Sequence, residues 1–394
     1  MNELQSILEA RRSGHPGLDE AVLATVVAVK GSAYRRPGAR MLIFPDGERL
    51  GTISGGCLES DVVRKANWWT AGGDPALRTF DTSSEQATWE FGLGCNGVIT
   101  LLLERVTAPG VMEELDFLER QWKRRRPSVA VTVVRSTTNE AAPGDRLLFD
   151  EDGCVGGRLR GKPSTAPLKA AVDRAFSERA SQSMTVEGFE SFVEYVGPAQ
   201  RLVVFGAGHD AIPLVAMAGI LGWSVTVVDG RSNYARRDRF PAAESVVCLP
   251  STAEVSELGI DSDTAVVLMT HNFPQDVVLL PQILKCSPQY LGLLGPRRRA
   301  ERLFAEAGLG AIEPEVFAPV GLDLGGDHPE TVALSIISEI QSVLSGRRPV
   351  SLRNRPGPIH GPTDPVLPMP RVGRGARADA IAFGGLGREF AIHE

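Results

Sequence analysis

The chain has 394 residues, of which 43 % are hydrophobic and 23 % charged, and it contains 42 glycines and 27 prolines. At roughly 150 residues per domain, this length predicts two or three domains. The 42 Lys and Arg against 48 Asp and Glu leave a net charge of −6, which excludes a broadly basic nucleic-acid-binding protein. Because of this charge, we expect no nucleic-acid partner. No apolar run reaches the roughly 18 residues of a membrane span, so we also expect no membrane partner.

The first part of the chain, residues 1–197, predicts an α/β domain whose topology the sequence leaves open. Its start, Met1 to His15, is typical of a charged helix and lacks a signal-peptide core, so we expect a cytoplasmic protein. Turn signals at Pro45–Gly47 and Glu151–Gly153 predict hairpins, and we expect strands of mixed direction. The predicted strands are Ala21–Val29, Arg40–Phe44, Arg49–Ile53, Val98–Leu103, Val129–Val134 and Arg146–Phe149. The predicted helices are Leu58–Trp69, Val111–Arg125 and Pro167–Ser181.

The second part, residues 198–346, predicts a Rossmann-like domain built on a parallel sheet. Its apolar runs are β-branched or Leu-rich at consecutive positions, as expected for strands covered on both faces. Helical patterns separate these runs, and that alternation indicates βαβ units. The predicted strands are Leu202–Phe205, Ser224–Val228, Val246–Leu249, Ala265–Met269 and Leu291–Leu294.

The tail, residues 347–394, is rich in Pro, Gly and Arg. Such a composition offers too little apolar surface to offset the chain entropy lost on folding, so we expect the tail to be mostly disordered. Docking of its last stretch, Ala380–Ile392, is the alternative.

A glycine-rich turn follows the first predicted strand of the Rossmann-like domain. Residues 206–211 read G-x-G-x-x-A, in which Gly206 allows a tight turn and Gly208 lets the backbone approach a phosphate. The helix that begins here offers free N–H groups and the positive end of its dipole. Asp229 ends the next strand, where a carboxylate can accept hydrogen bonds from ribose hydroxyls. The pattern predicts a phosphate-bearing ligand, and a loop kept only for helix–strand packing is the alternative.

Two further segments follow strands at the same carboxyl edge, where the ligands of open parallel sheets bind. His271 follows the fourth strand and can bind a ligand or transfer a proton, although a loop imidazole held by its neighbours is the alternative. Arg297–Arg299 follow the fifth strand and form either a solvated helix start or an anion contact.

The first part carries two loops in which glycines flank a cysteine: SGGCLE at residues 54–59 and GLGCNG at residues 92–97. Paired glycines cost chain entropy, so their repetition indicates backbone that approaches a ligand closely. At a helix N-terminus the thiol of Cys57 favours the thiolate, which makes it a candidate soft-metal or sulfur ligand, while Glu59 can cap the same helix. Inert core thiols are the alternative for Cys57 and Cys95.

The chain has five scattered cysteines and no CxxC pair. This usage is typical of reduced thiols in a cytosol rather than of a disulfide framework. Besides the two loop cysteines, we expect Cys154, Cys248 and Cys286 to be ordinary buried thiols.

Several of these segments, taken in order, resemble the XdhC/CoxI family. In the first part the resemblance rests on RPGARM at residues 36–41 and on the two glycine–cysteine loops. In the second part it rests on FGAGH (205–209), VVDGR (227–231), MTH (269–271), LGLLG (291–295) and GLDLG (321–325). The resemblance covers roughly residues 20–346, whereas Asn96, Pro296 and Gly326–His328 depart from the family pattern.

The resemblance implies a maturation factor for molybdenum hydroxylases such as xanthine dehydrogenase. Members of the family bind the molybdenum cofactor (molybdopterin), protect it while a cysteine desulfurase supplies its terminal sulfur, and hand it to the apo-enzyme. Carried over residue by residue, the cofactor contacts fall on Gly55, Gly56, Cys57, Glu59 and Cys95 in the first part and on Gly206, Gly208, Asp229 and His271 in the second.

The residues by themselves favour a carrier over a catalyst, because the sequence contains no Ser/His/Asp order, no HExxH and no P-loop lysine. We therefore expect no catalytic residue and no dedicated set of protein metal ligands. The alternatives are an NAD(P)-dependent oxidoreductase that uses the loop at residues 206–211, and a scaffold that bridges partner enzymes. We also expect a homodimer, and a cleft between the domains that holds a flat pterin.

Overall fold

A computed structural model gives the fold of the chain and describes residues 3–56, 58–81, 97–160, 165–186, 188–250, 254–313 and 315–354. Cys57, Cys95 and the tail beyond residue 354 lie outside the described residues. Within these ranges, two antiparallel sheets precede one parallel sheet. No helix in the described part of the chain is both long and apolar enough to cross a membrane.

The first sheet has the strand order β3-β2-β1-β5-β4, and its neighbouring strands are antiparallel. Its strands are β1 (Val22–Gly31), β2 (Arg40–Ile43), β3 (Arg49–Gly51), β4 (Ala76–Asp81) and β5 (Gly97–Arg105). The helices around it are α1 (Glu3–Arg12), α2 (Glu59–Trp69) and α3 (Pro109–Arg124). Because side chains alternate along a strand, Val22 and Ala24 pack towards α2, whereas Leu23 packs towards α1 and α3. Both faces of this sheet are therefore covered.

The second sheet has the order β8-β7-β6-β10-β9 and is also antiparallel. Its elements are β6 (Ser128–Ser136), β7 (Arg146–Asp150), β8 (Gly153–Arg158), helix α4 (Thr165–Glu178), β9 (Gln182–Val186) and β10 (Phe189–Val196). Val172 of α4 packs on Val131 of the sheet. Leu115 of α3 packs with Leu23 of the first sheet and Leu148 of the second, so α3 is shared between them. The sequence led us to expect mixed strand directions, and this is wrong for the described strands of both sheets.

A buried cluster of charged side chains joins the two antiparallel sheets. Arg40 of β2 donates to both carboxylate oxygens of Glu194 on β10 at 2.6 Å each, and to Glu114 of α3 at 2.7 Å. Arg146 of β7 donates to Glu104 of β5 at 2.6 Å and lies 3.3 Å from Glu114. All five side chains are at most 7 % exposed, and three carboxyls face two guanidiniums. The cluster thus has one more acidic group than basic groups.

The third sheet is parallel and confirms the Rossmann-like expectation. Its strands are β11 (Arg201–Phe205), β12 (Ser224–Asp229), β13 (Ser245–Cys248), β14 (Thr264–Leu268), β15 (Tyr290–Leu293) and β16 (Val316–Phe317), in the order β13-β12-β11-β14-β15-β16. Helices α5 (Ala211–Ile220) and α8 (Pro329–Leu344) cover one face, and α6 (Phe273–Lys285) and α7 (Arg297–Glu306) cover the other. The strand order reverses at β11, so the switch point where such sheets bind ligands lies at the carboxyl ends of β11 and β14.

The antiparallel part contacts the Rossmann-like domain at the opposite, amino edge of the parallel sheet. Arg125, just after α3, donates to Ser224 at the start of β12 at 2.9 Å and to Glu244, just before β13, at 2.7 Å. Arg179, just after α4, donates to Asp263, just before β14, at 2.9 Å. The glycine loop is therefore separated from this interface by the length of the strands, on the order of 15 Å.

Three cysteines lie among the described residues, and the expectation that they are buried is wrong, since none of the three is fully buried. Cys154 and Cys248 are exposed, while Cys286 is half-buried. The reason is topological: Cys154 is in β8 and Cys248 ends β13, and each of these strands lies at the edge of its sheet.

Candidate functional site

The glycine loop after β11 is built around a residue that must be glycine. Gly206 has φ +115°, and a Cβ at this position would lie 2.3 Å from the carbonyl oxygen of Met269. Its amide donates to the carbonyl oxygen of Val228 at 2.7 Å, which ties the loop to the end of β12. The loop therefore passes close to both neighbouring strands before α5 begins, as the sequence pattern predicts.

Asp229, at the end of β12, uses its carboxylate within the protein. Its Oδ2 accepts from the amide of Ala207 and from Nη2 of Arg231, each at 2.8 Å. Its Oδ1 accepts from the amide and from Nε of Arg231, each at 2.9 Å. Burial raises the pKa of the Asp229 carboxyl, but the hydrogen bonds from Arg231 and from the Ala207 amide outweigh this and leave the pKa below its ordinary value. Asp229 is thus an ionised group that fixes the glycine loop.

Two arginine side chains, Arg231 and Arg239, contact the ring of Tyr234 beside Asp229. The guanidinium carbon of Arg231 is 3.8 Å from the ring centroid of Tyr234, and that of Arg239 is 4.9 Å from it. Arg239 also donates to the carbonyl oxygens of Ala207 and Tyr234, at 2.7 and 3.0 Å. These contacts place positive charge next to the glycine loop.

Gly208 lies under an acidic side chain. A Cβ at Gly208 would be 2.3 Å from Oδ1 of Asp210 and 3.9 Å from Cδ2 of His271. Nε2 of His271 is 2.7 Å from Oδ2 of Asp210, and the backbone of His271 has φ 57°, a left-handed conformation that is rare outside glycine. The structure therefore brings Gly206, Gly208, Asp229 and His271 together at one edge, with Asp210 among them.

The buried carboxylate of Asp276 stabilises the loop that carries His271. Asp276 accepts hydrogen bonds from Thr270 and, at 2.6 Å, from Nη2 of Arg299. Arg297 instead pairs with Glu301 at 3.1 Å, one turn further along α7. Arg299 is thus the residue of the basic run 297–299 that stabilises this loop, through its hydrogen bond to Asp276. His271 pairs with Asp210 instead.

In the first part of the chain, Glu59 shapes the turn that precedes Cys57. Its Oε1 accepts from the amides of Ile53 and Ser54, at 3.2 and 2.8 Å, and from the Thr52 hydroxyl, while its Oε2 accepts from the Ser54 hydroxyl. Burial raises the pKa of the Glu59 carboxyl, but the hydrogen bonds from Ser54 and Thr52 outweigh it and leave the pKa below its ordinary value. Glu59 therefore holds the turn before its helix rather than capping α2 itself.

The two glycines of this turn differ in what they require. Gly56 has φ +111°, and a Cβ there would meet no atom of the described residues within 4 Å. A Cβ at Gly55 would lie 3.6 Å from the ring of Tyr34, a side chain that is 69 % exposed. Among the described residues, only Tyr34 comes close to this pair of glycines, and the thiols of Cys57 and Cys95 lie outside the described residues.

The two motif regions lie apart within one chain. The turn at residues 54–56 leads into α2, which covers one face of the first sheet, whereas α1 and α3 on its other face contact the Rossmann-like domain. The groove between the domains has a volume of about 610 Å³ and is lined by apolar residues such as Leu8, Trp122, Ile220 and Trp223. It contains none of the predicted site residues, and the expected pterin cleft between the domains stays a prediction.

Sequence reasoning missed three side chains of the Rossmann-like edge. Arg231 lies in the motif VVDGR but was assigned no role, and Asp210 and Tyr234 were not singled out. The position of Asp210 one residue before α5 was the signal available for it, since a carboxylate at a helix N-terminus competes with an anionic ligand. Among the described residues, no group of three or more His, Cys, Asp and Glu side chains could hold a metal ion.

Fold and site together define a Rossmann-like domain appended to a two-sheet antiparallel part. Residues 202–340 match the model of the XdhC Rossmann domain, and residues 18–81 match that of the XdhC and CoxI family. The chain is 33 % identical over 331 residues to a probable xanthine dehydrogenase subunit from Bacillus subtilis, covering 82 % of this chain and 92 % of that protein. The chain belongs to the XdhC and CoxI family.

Two further relatives extend the comparison. The molybdenum cofactor insertion chaperone PaoD of Escherichia coli is 28 % identical over 348 residues, which cover 86 % of this chain and 87 % of PaoD. A solved structure from Bacillus halodurans, described as a xanthine dehydrogenase, superposes with a TM-score of 0.74 at 28 % identity. The superposition covers 89 % of this chain and 98 % of that one. The resemblance drawn from the motifs is therefore confirmed.

Proposed function

We propose that the chain is a molybdenum-cofactor chaperone that binds the cofactor as cargo and inserts it into a molybdenum hydroxylase of the xanthine dehydrogenase type. The observation that carries this proposal is the similarity to an insertion chaperone over 86 % of the chain. The finer steps are protection of the cofactor while a cysteine desulfurase supplies sulfur, and transfer to the apo-enzyme. These steps take place in the cytoplasm, where thiols stay reduced.

The geometry of the carboxyl edge supports binding of a phosphate-bearing cargo. Gly206 and Gly208 let the backbone come close, the N-terminus of α5 brings the positive end of its dipole, and His271 lies beside the loop. Asp229 fixes the loop through the amide of Ala207. The cations on Tyr234 add positive charge, which an anionic cargo requires.

The glycine–cysteine loops would serve the metal end of the cargo. Thiolates are soft ligands, which suits Cys57 and Cys95 to molybdenum or its sulfur. Gly55 and Gly56 would let the backbone approach, and Glu59 would contribute by fixing the turn. The role is that of a carrier, without a catalytic residue. The relatives do not support the alternative of an NAD(P)-dependent oxidoreductase.

The test is cofactor retention by the protein purified from cells that make molybdenum cofactor. After oxidation, we expect pterin fluorescence in stoichiometric amount, and its absence would contradict the proposal. Cys57→Ala and Cys95→Ala should each lower retention without unfolding the protein. Cys154→Ala, at an exposed thiol on the edge strand β8 of the second sheet, is the matched control. Equal retention in all three variants would remove the loop thiols from the proposal.

We also propose that the chain acts as a homodimer. One chain holds its two motif regions apart, so a ligand that uses both would have to lie between two copies. The turn at residues 54–56 of one protomer would then face the carboxyl edge of its partner's parallel sheet.

A further inference from the structure

Arg231 controls what the carboxylate of Asp229 can bind. An ionised carboxylate has about four lone-pair positions for hydrogen bonds. At Asp229 the amide of Ala207 takes one of them, and the amide, Nε and Nη2 of Arg231 take three. A ribose diol needs at least one free position on this carboxylate. It has none while Arg231 stays in place.

The position of Arg231 is fixed from several directions. Its guanidinium carbon lies over the ring of Tyr234, at 3.8 Å from the ring centroid, and the side chain of Asp229 is only 5 % exposed. Tyr234 is in turn held by Arg239, which donates to its carbonyl oxygen and to that of Ala207. A cation–π contact at an exposed site contributes about 0.5–1 kcal/mol, and the hydrogen bonds to the carboxylate add to it. The arrangement is therefore a stable feature of the site.

The same guanidinium keeps donors available. Nε–H and one N–H of Nη2 serve Asp229, and no hydrogen bond between described residues uses Nη1. The side chain is 50 % exposed, so these remaining N–H groups face solvent. Two parallel N–H groups of a guanidinium match the oxygens of a phosphate.

We propose that Arg231 sets the ligand specificity of this edge: it occupies Asp229 against a ribose diol and offers its free N–H groups to an anionic group of the ligand. The second half rests on the proposed function, because the ligand meant there is the phosphate-bearing molybdenum cofactor. The first half concerns Asp229 alone and stands without it. The inference identifies the cargo as one that presents an anion, rather than a sugar diol, at the end of β12.

The first arm of the test titrates wild type and Arg231→Ala with NADH, followed by nicotinamide fluorescence. Arg231→Ala removes the donors Nε and Nη2 and so frees two acceptor positions of Asp229, while the backbone amide of residue 231 still donates. We therefore expect the variant to bind NADH at least tenfold more tightly than wild type. The double variant Arg231→Ala/Asp229→Ala should lose this gain, which shows that it passes through the carboxylate. Equal NADH affinities of wild type and Arg231→Ala overturn the first half.

The second arm measures cofactor retention in the same cells as before. Arg231→Ala should retain at least threefold less pterin than wild type, and Arg231→Lys, which keeps the charge, should stay closer to wild type. Full retention in Arg231→Ala overturns the anion contact. Absence of pterin from wild type would instead remove the proposed function, and the NADH titration would still decide the role of Asp229.

Discussion

Nε2 of His271 lies 2.7 Å from Oδ2 of Asp210, so an imidazole and a carboxylate meet over the glycine loop. The left-handed backbone of His271 brings its ring to this position. Asp210 precedes α5 but makes no capping hydrogen bond with its side chain. Its carboxylate therefore stands near the helix N-terminus, where a phosphate would also bind, and the imidazole is its partner there.

This contact predicts opposite effects for its two members. Asp210→Ala removes a negative charge beside the loop and should increase the affinity for the phosphate-bearing cofactor about fivefold, or about 1 kcal/mol. His271→Asn keeps a residue that tolerates left-handed backbone but leaves the carboxylate without its partner, so affinity should fall by a similar factor. Retention of pterin measures both, and changes of equal sign would contradict the prediction.

In the buried Arg–Glu cluster, we expect the loss of one carboxylate to lower the free energy of unfolding less than the loss of one guanidinium. Glu104→Gln leaves two carboxyls for two guanidiniums, and we expect its free energy of unfolding at pH 7 to be within about 1 kcal/mol of wild type. Arg40→Met leaves three carboxyls facing one guanidinium and should cost about 3–5 kcal/mol. Urea unfolding followed by tryptophan fluorescence measures both, and equal costs would show that the charge count does not matter.

The same cluster predicts a pH dependence. Burial raises the pKa of the Glu104 carboxyl above its ordinary value, and the charge of Arg146 only partly opposes this. A carboxyl whose pKa is raised on folding stabilises the native state below the unfolded pKa, and this contribution is lost as pH rises through the folded pKa. Since glutamine does not titrate, the stability of wild type relative to Glu104→Gln should fall as the pH rises above the ordinary pKa of a glutamate. A constant difference would contradict the raised pKa.

Glu59 predicts the reverse pH dependence and a local effect. Glu59→Ala leaves the buried amides of Ile53 and Ser54 without an acceptor and should cost about 2–3 kcal/mol, with faster amide exchange in this turn. Because the pKa of Glu59 is lowered on folding, its contribution is present above the unfolded pKa and is lost as pH falls through the folded pKa. The cost of Glu59→Ala should therefore be smaller at pH 4 than at pH 7.

The two loop glycines should differ in what their substitution damages. In Gly206→Ala the Cβ would meet the backbone oxygen of Met269 at 2.3 Å, at a positive φ, so we expect a loss of about 2–3 kcal/mol in stability. In Gly208→Ala the Cβ would meet the end of the Asp210 side chain, which can rotate away. That variant should fold normally but retain less cofactor. Thermal unfolding and pterin retention together separate the two effects.

The sequence predicted the Rossmann-like half well because its signals are local. Consecutive β-branched residues mark strands covered on both faces, and the glycine spacing places Gly206, Gly208, Asp229 and His271 at one edge. The antiparallel half was harder to predict, since the edge strand at residues 153–158 has the composition Gly-Cys-Val-Gly-Gly-Arg, with little apolar character. Short edge strands depend on their neighbours more than on their own residues. The division at residues 197–198 and 346–347 stays a prediction.

The hydrogen-bond partners of the site side chains could not be predicted from the sequence. Nothing in the motif VVDGR tells that Arg231 folds back on Asp229, because this depends on side-chain rotamers and on a tyrosine three residues further along. Likewise, nothing in the sequence tells that the buried carboxylate of Asp276 accepts from Thr270 and Arg299. The edge to which the antiparallel part docks depends on long-range contacts such as that between Arg125 and Glu244.

The separation of the two motif regions makes the proposed dimer testable by complementation. Cys57→Ala and Gly208→Ala are each expected to lower retention, and the two variants can be co-expressed with different tags and purified as a mixed dimer. If each site combines the turn of one protomer with the glycine loop of its partner, one of the two sites in the mixed dimer contains both intact regions. Retention should then recover to about half that of wild type. If both regions of a site belong to the same chain, each site keeps one defect, and the mixed dimer should retain no more cofactor than the single variants.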